Sequence, residues 1–142
     1  MSIFDNMLKV AGNKYASKVS DGNIADVDTF FDTGSYSLNA LLSGSIYGGV
    51  PANKVQVFAG ESTTGKTFFA LNVAKKFLID NPDGFVFLFD SESAVTTEML
   101  VAREIDLKRI AIMPVVTIEE FRSQAVRMLD TYIVDAEADP KN

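Results

Sequence analysis

The chain has 142 residues and a mass of 15.5 kDa, and its 47% hydrophobic and 23% charged residues are the balance of one soluble globular domain rather than a disordered or fibrous chain. Thirteen Lys and Arg against nineteen Asp and Glu give a net charge of -6, which argues against holding nucleic acid through a broadly basic surface and leaves only local basic loops for that purpose. The absence of Cys and His excludes disulfides, thiolate or imidazole zinc sites, cysteine nucleophiles and Ser-His-Asp triads, so any acid–base chemistry falls to Asp, Glu, Lys or Tyr.

Apolar residues at Ile3, Phe4, Met7, Leu8, Ala11 and Tyr15 predict a leading helix from Ile3 to about Lys18, broken by Ser20-Asp21-Gly22-Asn23. No basic stretch followed by an apolar one opens the chain, so a secretory signal is not expected and the cytoplasm is the expected compartment. Residues from Ile24 to Thr33 mix Ile24, Val27, Phe30 and Phe31 with acidic groups. That mixture is too short to fold alone and reads as an arm that packs on its own core or on a neighbouring subunit. Residues 1–35 thus form a leading helix and arm, and residues 36–142 the main domain.

Ser37 to Leu42 has the texture of a short helix that Ser43-Gly44 ends, and Tyr47-Gly48-Gly49-Val50-Pro51 reads as a loop. Lys54 to Ala59 predicts a compact β run, Lys66 to Ile79 a helix with Phe69, Leu71, Val73, Phe77 and Leu78 inward, and Gly84 to Asp90 a second buried strand. Thr96 or Thr97 is placed to cap a short helix ending near Glu104, and Ile110 to Val116 predicts a third strand. Thr117 and Glu120 have capping-box spacing ahead of a helix that carries Ile118, Phe121, Ala125, Met128 or Leu129, and Tyr132. The tail from Ala136 to Asn142 shows no periodic pattern. This β-α-β-α-β-α order predicts an α/β fold, a parallel β-sheet flanked by helices and joined by right-handed crossovers. No apolar run approaches the ~20 residues that span a bilayer, so no membrane contact is expected.

Gly60-Glu61-Ser62-Thr63-Thr64-Gly65-Lys66-Thr67 fits G-x-x-x-x-G-K-[ST], between a predicted strand and a predicted helix. The two glycines let the backbone curl so that N–H groups point at phosphate oxygens. The helix N-terminus adds positive potential, Lys66 reaches the β and γ phosphates, and Thr67 offers its hydroxyl to Mg2+. The pattern points to ATP or another nucleoside triphosphate with Mg2+. Asp90-Ser91-Glu92 follows the second strand, at the sheet edge where ligands of parallel α/β folds bind. Two readings stand for Glu92: it orients water for in-line attack, or Asp90 or Glu92 caps the next helix. Glu119-Glu120 is explained by the capping box and a solvated first turn. Phe85, Phe87, Phe89 and the pair Phe68-Phe69 have the composition of a base-stacking platform, but core packing is the favoured reading. Lys75-Lys76 and Lys108-Arg109 read as solvated surface doublets.

From Ser37 to Tyr132, about two thirds of the chain, the sequence resembles the RecA-type recombinases and, within them, the UvsX-like recombinases of bacteriophages. The resemblance rests on Ser37-Leu38-Asn39-Ala40-Leu41-Leu42-Ser43-Gly44, the Gly48-Gly49 loop, the phosphate loop, Phe89-Asp90-Ser91-Glu92 and Arg103-Glu104-Ile105-Asp106. It implies a RecA-like P-loop NTPase core and an ATP-dependent, DNA-dependent ATPase that forms filaments on single-stranded DNA and exchanges strands in recombination and repair. Carried over by position, Lys66 and Thr67 bind phosphates and Mg2+, Glu92 activates the attacking water, and the leading segment docks on the adjacent subunit. Two departures are evident. Met99 stands where several relatives carry an adenine-stacking Tyr, and neither Asp135 nor Asp139 follows the apolar strand that ends in the Walker B carboxylate. The chain is therefore expected to be the ATP-binding, N-terminal part of a recombinase, with that carboxylate and the DNA-binding loops beyond it. Another RecA-fold ATPase, such as a helicase or regulatory ATPase, and a nucleotide-binding module without turnover are the alternatives.

Overall fold

A computed structural model describes residues 2–13, 16–22 and 25–138, with the side chains of 137 and 138 left aside. Tyr15, Ile24 and the tail from 139 to 142 lie outside the described residues. The chain divides into two units, Met1–Lys66 and Thr67–Asn142.

In the first unit, α1 spans Ile3–Val10. Ser2 and Asp5 cap it reciprocally: the Asp5 N–H donates to Ser2 Oγ at 3.2 Å and the Ser2 N–H to Asp5 Oδ2 at 2.8 Å. The helix stops at Val10 rather than near Lys18, because Gly12 takes φ 66°, a left-handed conformation that an α-helix does not continue through. The arm turns back on its own unit. Strand β1 (Phe30–Phe31) pairs antiparallel with β2 (Val50–Pro51), and the Lys54 ammonium holds the Ala25 carbonyl at 2.7 Å.

Between these strands α2 runs Tyr36–Ser43, one residue longer at each end than the predicted Ser37 to Leu42; Ser35 caps its start, and Gly44 in the left-handed region closes it, as its sequence predicts. Asn39 and Thr33 are 1% and 0% exposed and bind each other: Asn39 Oδ1 accepts from the Thr33 N–H at 3.0 Å and from its hydroxyl at 2.7 Å. Asn39 Nδ2 donates to Asp32 Oδ1 at 2.7 Å and to the Ile46 carbonyl at 3.1 Å. A buried amide with all of these partners fixes where the loop after α2 returns.

The predicted strand from Lys54 to Ala59 is not formed. Alternating apolar residues make a strand only where a neighbour completes the ladder. Among the described residues none pairs with this run, and Val55 and Val57 stand 93% and 82% exposed. The three-stranded parallel sheet expected from the element order is therefore a single parallel pair.

That pair lies in the second unit. Helix α3, Lys66–Asp80, leads into β3 (Val86–Asp90), then α4 (Thr97–Val101), β4 (Ile110–Pro114) and α5 (Ile118–Ala138). Strands β3 and β4 run parallel, in register from Val86 opposite Ile110 to Asp90 opposite Pro114, with α4 in the connection. Leu71 and Leu78 on α3, Leu100 on α4 and Ile105 are at most 5% exposed and form the core with Phe77, Val86, Val95 and Ile110. Each such leucine contributes about 1.5–3 kcal/mol of burial. Helix α5 starts at the predicted capping box, with the Glu120 N–H donating to Thr117 Oγ1 at 3.1 Å, and packs Phe121 on Phe89 and Tyr132 on Phe85. It continues past Tyr132 to Ala138, through the stretch from Ala136 that has no apolar period. Ala and Glu favour helix whether or not a face is buried, and Pro140 comes only later. The fold is thus mixed α/β, with one small antiparallel and one small parallel sheet.

Candidate functional site

The phosphate-loop motif leads directly into α3, whose first residue is Lys66. Gly65 has φ 90° and Thr63 φ 65°, so the backbone alternates hand in the way that turns successive N–H groups toward one concavity. At Gly60 a Cβ would come within 3.1 Å of Thr64 Oγ1, a tight approach that the threonine would have to give way to. Thr64 Oγ1 donates to the Glu61 carbonyl at 2.9 Å and braces the curl. The Lys66 ammonium folds back onto the same loop and donates to the Gly60 carbonyl at 2.9 Å and the Glu61 carbonyl at 2.6 Å. Glu61, Ser62, Thr63 and Thr64 are exposed along the curl.

These features fit a polyphosphate. The first-turn N–H groups of an α-helix lack acceptors within the helix and carry partial positive charge, and here a cation stands at the same end. Among the described residues no group of three or more His, Cys, Asp or Glu could hold a metal ion. The residue after Lys66, Thr67, carries a hydroxyl, a hard oxygen of the kind that suits a cation sharing phosphate oxygens and water.

Glu92 belongs to the second unit, in the exposed loop after β3. Asp90 organises that loop: Oδ1 accepts the Glu92 N–H and Oδ2 the Val95 N–H, each at 3.0 Å. The Val95 N–H above all, with those of Glu92, Ala94 and Ser93, holds the Asp90 carboxyl below the usual carboxylate range against the opposing effect of desolvation. Ser93 takes φ 52°, completing a tight reversal. The cap of α4 is Thr96, whose Oγ1 accepts the Met99 N–H at 3.2 Å. Of the two readings left open by the sequence, capping therefore belongs to neither Asp90 nor Glu92, and Glu92 lies exposed on a loop shaped by Asp90.

The other singled-out residues divide. Glu120 is held by the Val116 and Thr117 N–H groups, which keep its carboxyl below the usual range, as the capping box implies. Lys75 pairs with Glu104 and Lys76 with Asp80 on the surface. Arg109 is no solvated doublet member. Its Nη1 reaches the Leu78, Asn81 and Pro82 carbonyls at 2.9, 3.0 and 3.0 Å, while Nε bonds Asp106 at 2.9 Å. A guanidinium caps the C-terminal end of α3, where carbonyls lack partners, and no doublet pattern announces that. Phe68 is not core either: it is 45% exposed, and Arg103 lies over its ring. The Phe85 and Phe87 rings meet each other at 5.2 Å and stay 47% and 44% exposed.

No protein-family model matches this chain. Over 124 residues, 87% of its length, it is 26% identical to a protein named "Recombination and repair protein" from Enterobacteria phage T4. The match takes in 32% of that protein, so the chain spans about a third of the length of the curated relative it resembles.

Proposed function

We propose that this chain is the ATP-binding part of a DNA recombination and repair protein, of the RecA-like class that exchanges strands as a filament on single-stranded DNA. The observation that carries the reading is the glycine-rich curl of Gly60 to Gly65 running into α3 with Lys66 as its first residue. The likeness to the T4 recombination and repair protein supports the DNA side of the proposal.

In this reading the loop N–H groups and the start of α3 bind phosphate oxygens. Lys66 exchanges the Gly60 and Glu61 carbonyls for β and γ phosphate oxygens, two acceptors for two, so little desolvation is left uncompensated. Thr67 contributes its hydroxyl to Mg2+, which when bound neutralises charge on the phosphates. The exposed Glu92 carboxylate orients a water for in-line attack and accepts its proton. The net charge of -6 leaves DNA contact to local basic groups rather than to one broadly basic face.

Binding of ATP with Mg2+, and hydrolysis with and without single-stranded DNA, test this in the full chain. In the complete protein Lys66→Ala should weaken triphosphate binding, whereas Glu92→Gln should keep binding and lower turnover by about 10²-fold or more, the scale of a general base. Hydrolysis by Glu92→Gln at the parent rate would refute the base assignment. Nucleotide binding without turnover by this chain is the result expected of the ATP-binding part alone, whereas turnover stimulated by DNA would make the chain a working recombinase core.

A further inference from the structure

Two donors meet on one carbonyl in the glycine-rich loop. The Glu61 carbonyl accepts from the Lys66 ammonium at 2.6 Å and from Thr64 Oγ1 at 2.9 Å. A Cβ on Gly60 would come within 3.1 Å of the same Thr64 Oγ1, so the hydroxyl sits against the first residue of the loop as well as the second. All of these residues belong to the first unit.

Helix capping does not explain the hydroxyl. A capping side chain accepts an N–H of the first turn, whereas Thr64 donates, and to a residue three positions before it. A threonine turned back on a preceding carbonyl is ordinary local chemistry, but here it shares its acceptor with the only cation of the motif. When Lys66 leaves that carbonyl and a phosphate closes over the loop, the carbonyl faces negative oxygens and is cut off from water, a position that an acceptor without a donor tolerates poorly. The Thr64 hydroxyl is already in place to supply the donor. Its single proton is committed to the carbonyl and not to a ligand, so it acts through the loop.

We propose that Thr64 is a positioning residue of the phosphate loop: its hydroxyl holds the Glu61 carbonyl when Lys66 leaves it for a phosphate, so that the exchange opens no acceptor there. This rests on the reading of Gly60 to Thr67 as a triphosphate loop and adds which side chain sets how readily the lysine is released. Because Thr64 acts at the phosphate end, it changes the affinity for ATP and for bare tripolyphosphate by the same factor.

The full chain, with Mg2+, is titrated calorimetrically with ATP and with inorganic tripolyphosphate. Thr64→Val, which keeps the branched shape and removes the donor, is expected to weaken both ligands about tenfold, and Thr64→Ser, which keeps the hydroxyl, to bind both within about twofold of the parent. A residue that merely stiffened the loop would give the opposite order, since valine keeps the branched Cβ and serine does not. Circular dichroism reports whether each variant folds, and Thr64→Ala carries the expectation of Thr64→Val should that variant unfold. Unchanged affinity without the hydroxyl, Thr64→Ser as weak as Thr64→Val, or unequal losses of ATP and tripolyphosphate overturns the role of Thr64 alone, as long as Lys66→Ala weakens both ligands. A parent that binds neither ligand, or Lys66→Ala binding both as the parent does, overturns the triphosphate-loop reading and this role together.

Discussion

Replacing Asp90 with Asn tests how the loop that carries Glu92 is held. The carboxylate gives one oxygen to the Glu92 N–H and the other to the Val95 N–H, both at 3.0 Å. An amide keeps one acceptor and turns an NH2 toward the remaining N–H. Hydrogen bonds to a charged acceptor contribute about 1.5–3 kcal/mol each, and exposure at Glu92 trims the lower bond, so Asp90→Asn should cost about 1–2 kcal/mol at pH 7. In urea, with a slope of about 1–2 kcal/mol/M, the midpoint followed by far-ultraviolet circular dichroism should fall by about 1 M. The carboxyl titrates lower in the fold than in the unfolded chain, where its value is ~3.9. Its stabilisation is therefore complete above that unfolded value and disappears as pH falls through the depressed folded one, so the gap between parent and variant should narrow steadily as the pH is lowered below ~3.9. If Glu92 acts on water as proposed, turnover should fall in the variant while ATP binding holds. Equal midpoints at pH 7, or a gap that widens on acidification, would refute the reasoning.

Two further substitutions probe the first unit. Asn39→Ala removes the acceptor of the Thr33 N–H and hydroxyl and the donor to the Ile46 carbonyl, with Asn39 itself 1% exposed, and should lower stability by about 3 kcal/mol in the same urea titration; a loss under about 0.5 kcal/mol would show that the network holds nothing. Gly49→Ala puts a Cβ 2.1 Å from the Phe31 carbonyl oxygen at φ 139°, so the pairing of β1 with β2 should open and amide exchange at residues 30–31 and 50–51 should accelerate; unaltered protection there would contradict the contact.

Local rules carried much of this structure. The Gly44 end of α2, the start of α3 at Lys66, the Thr96 cap and the Thr117–Glu120 box are set by residues within four positions of each other, and each lies where its motif implies. The curl of Gly60 to Gly65 ahead of α3 is legible for the same reason, since its glycines act on adjacent backbone. What the sequence hid is non-local. Val55 and Val57 alternate like a strand, but no ladder partner exists among the described residues, and alternation says nothing about that. Asn39 reads as an ordinary helix residue, and only the return of residues 32–46 around it makes it a buried hub. Arg103 looks like a surface cation until Phe68 is brought beneath it.

Arg109 has a consequence for the order in which the second unit forms. Its partner Asp106 is three residues away, but its carbonyl partners Leu78, Asn81 and Pro82 are 31, 28 and 27 positions back along the chain. The guanidinium can gather them only after α3, β3 and β4 have met, and closing so long a loop is an entropic cost that precedes the reward. The clamp therefore belongs to the downhill side of the folding barrier. Truncating it should leave the refolding rate nearly unchanged and hasten unfolding, which makes Arg109 a determinant of how long the folded unit lasts rather than of how quickly it forms.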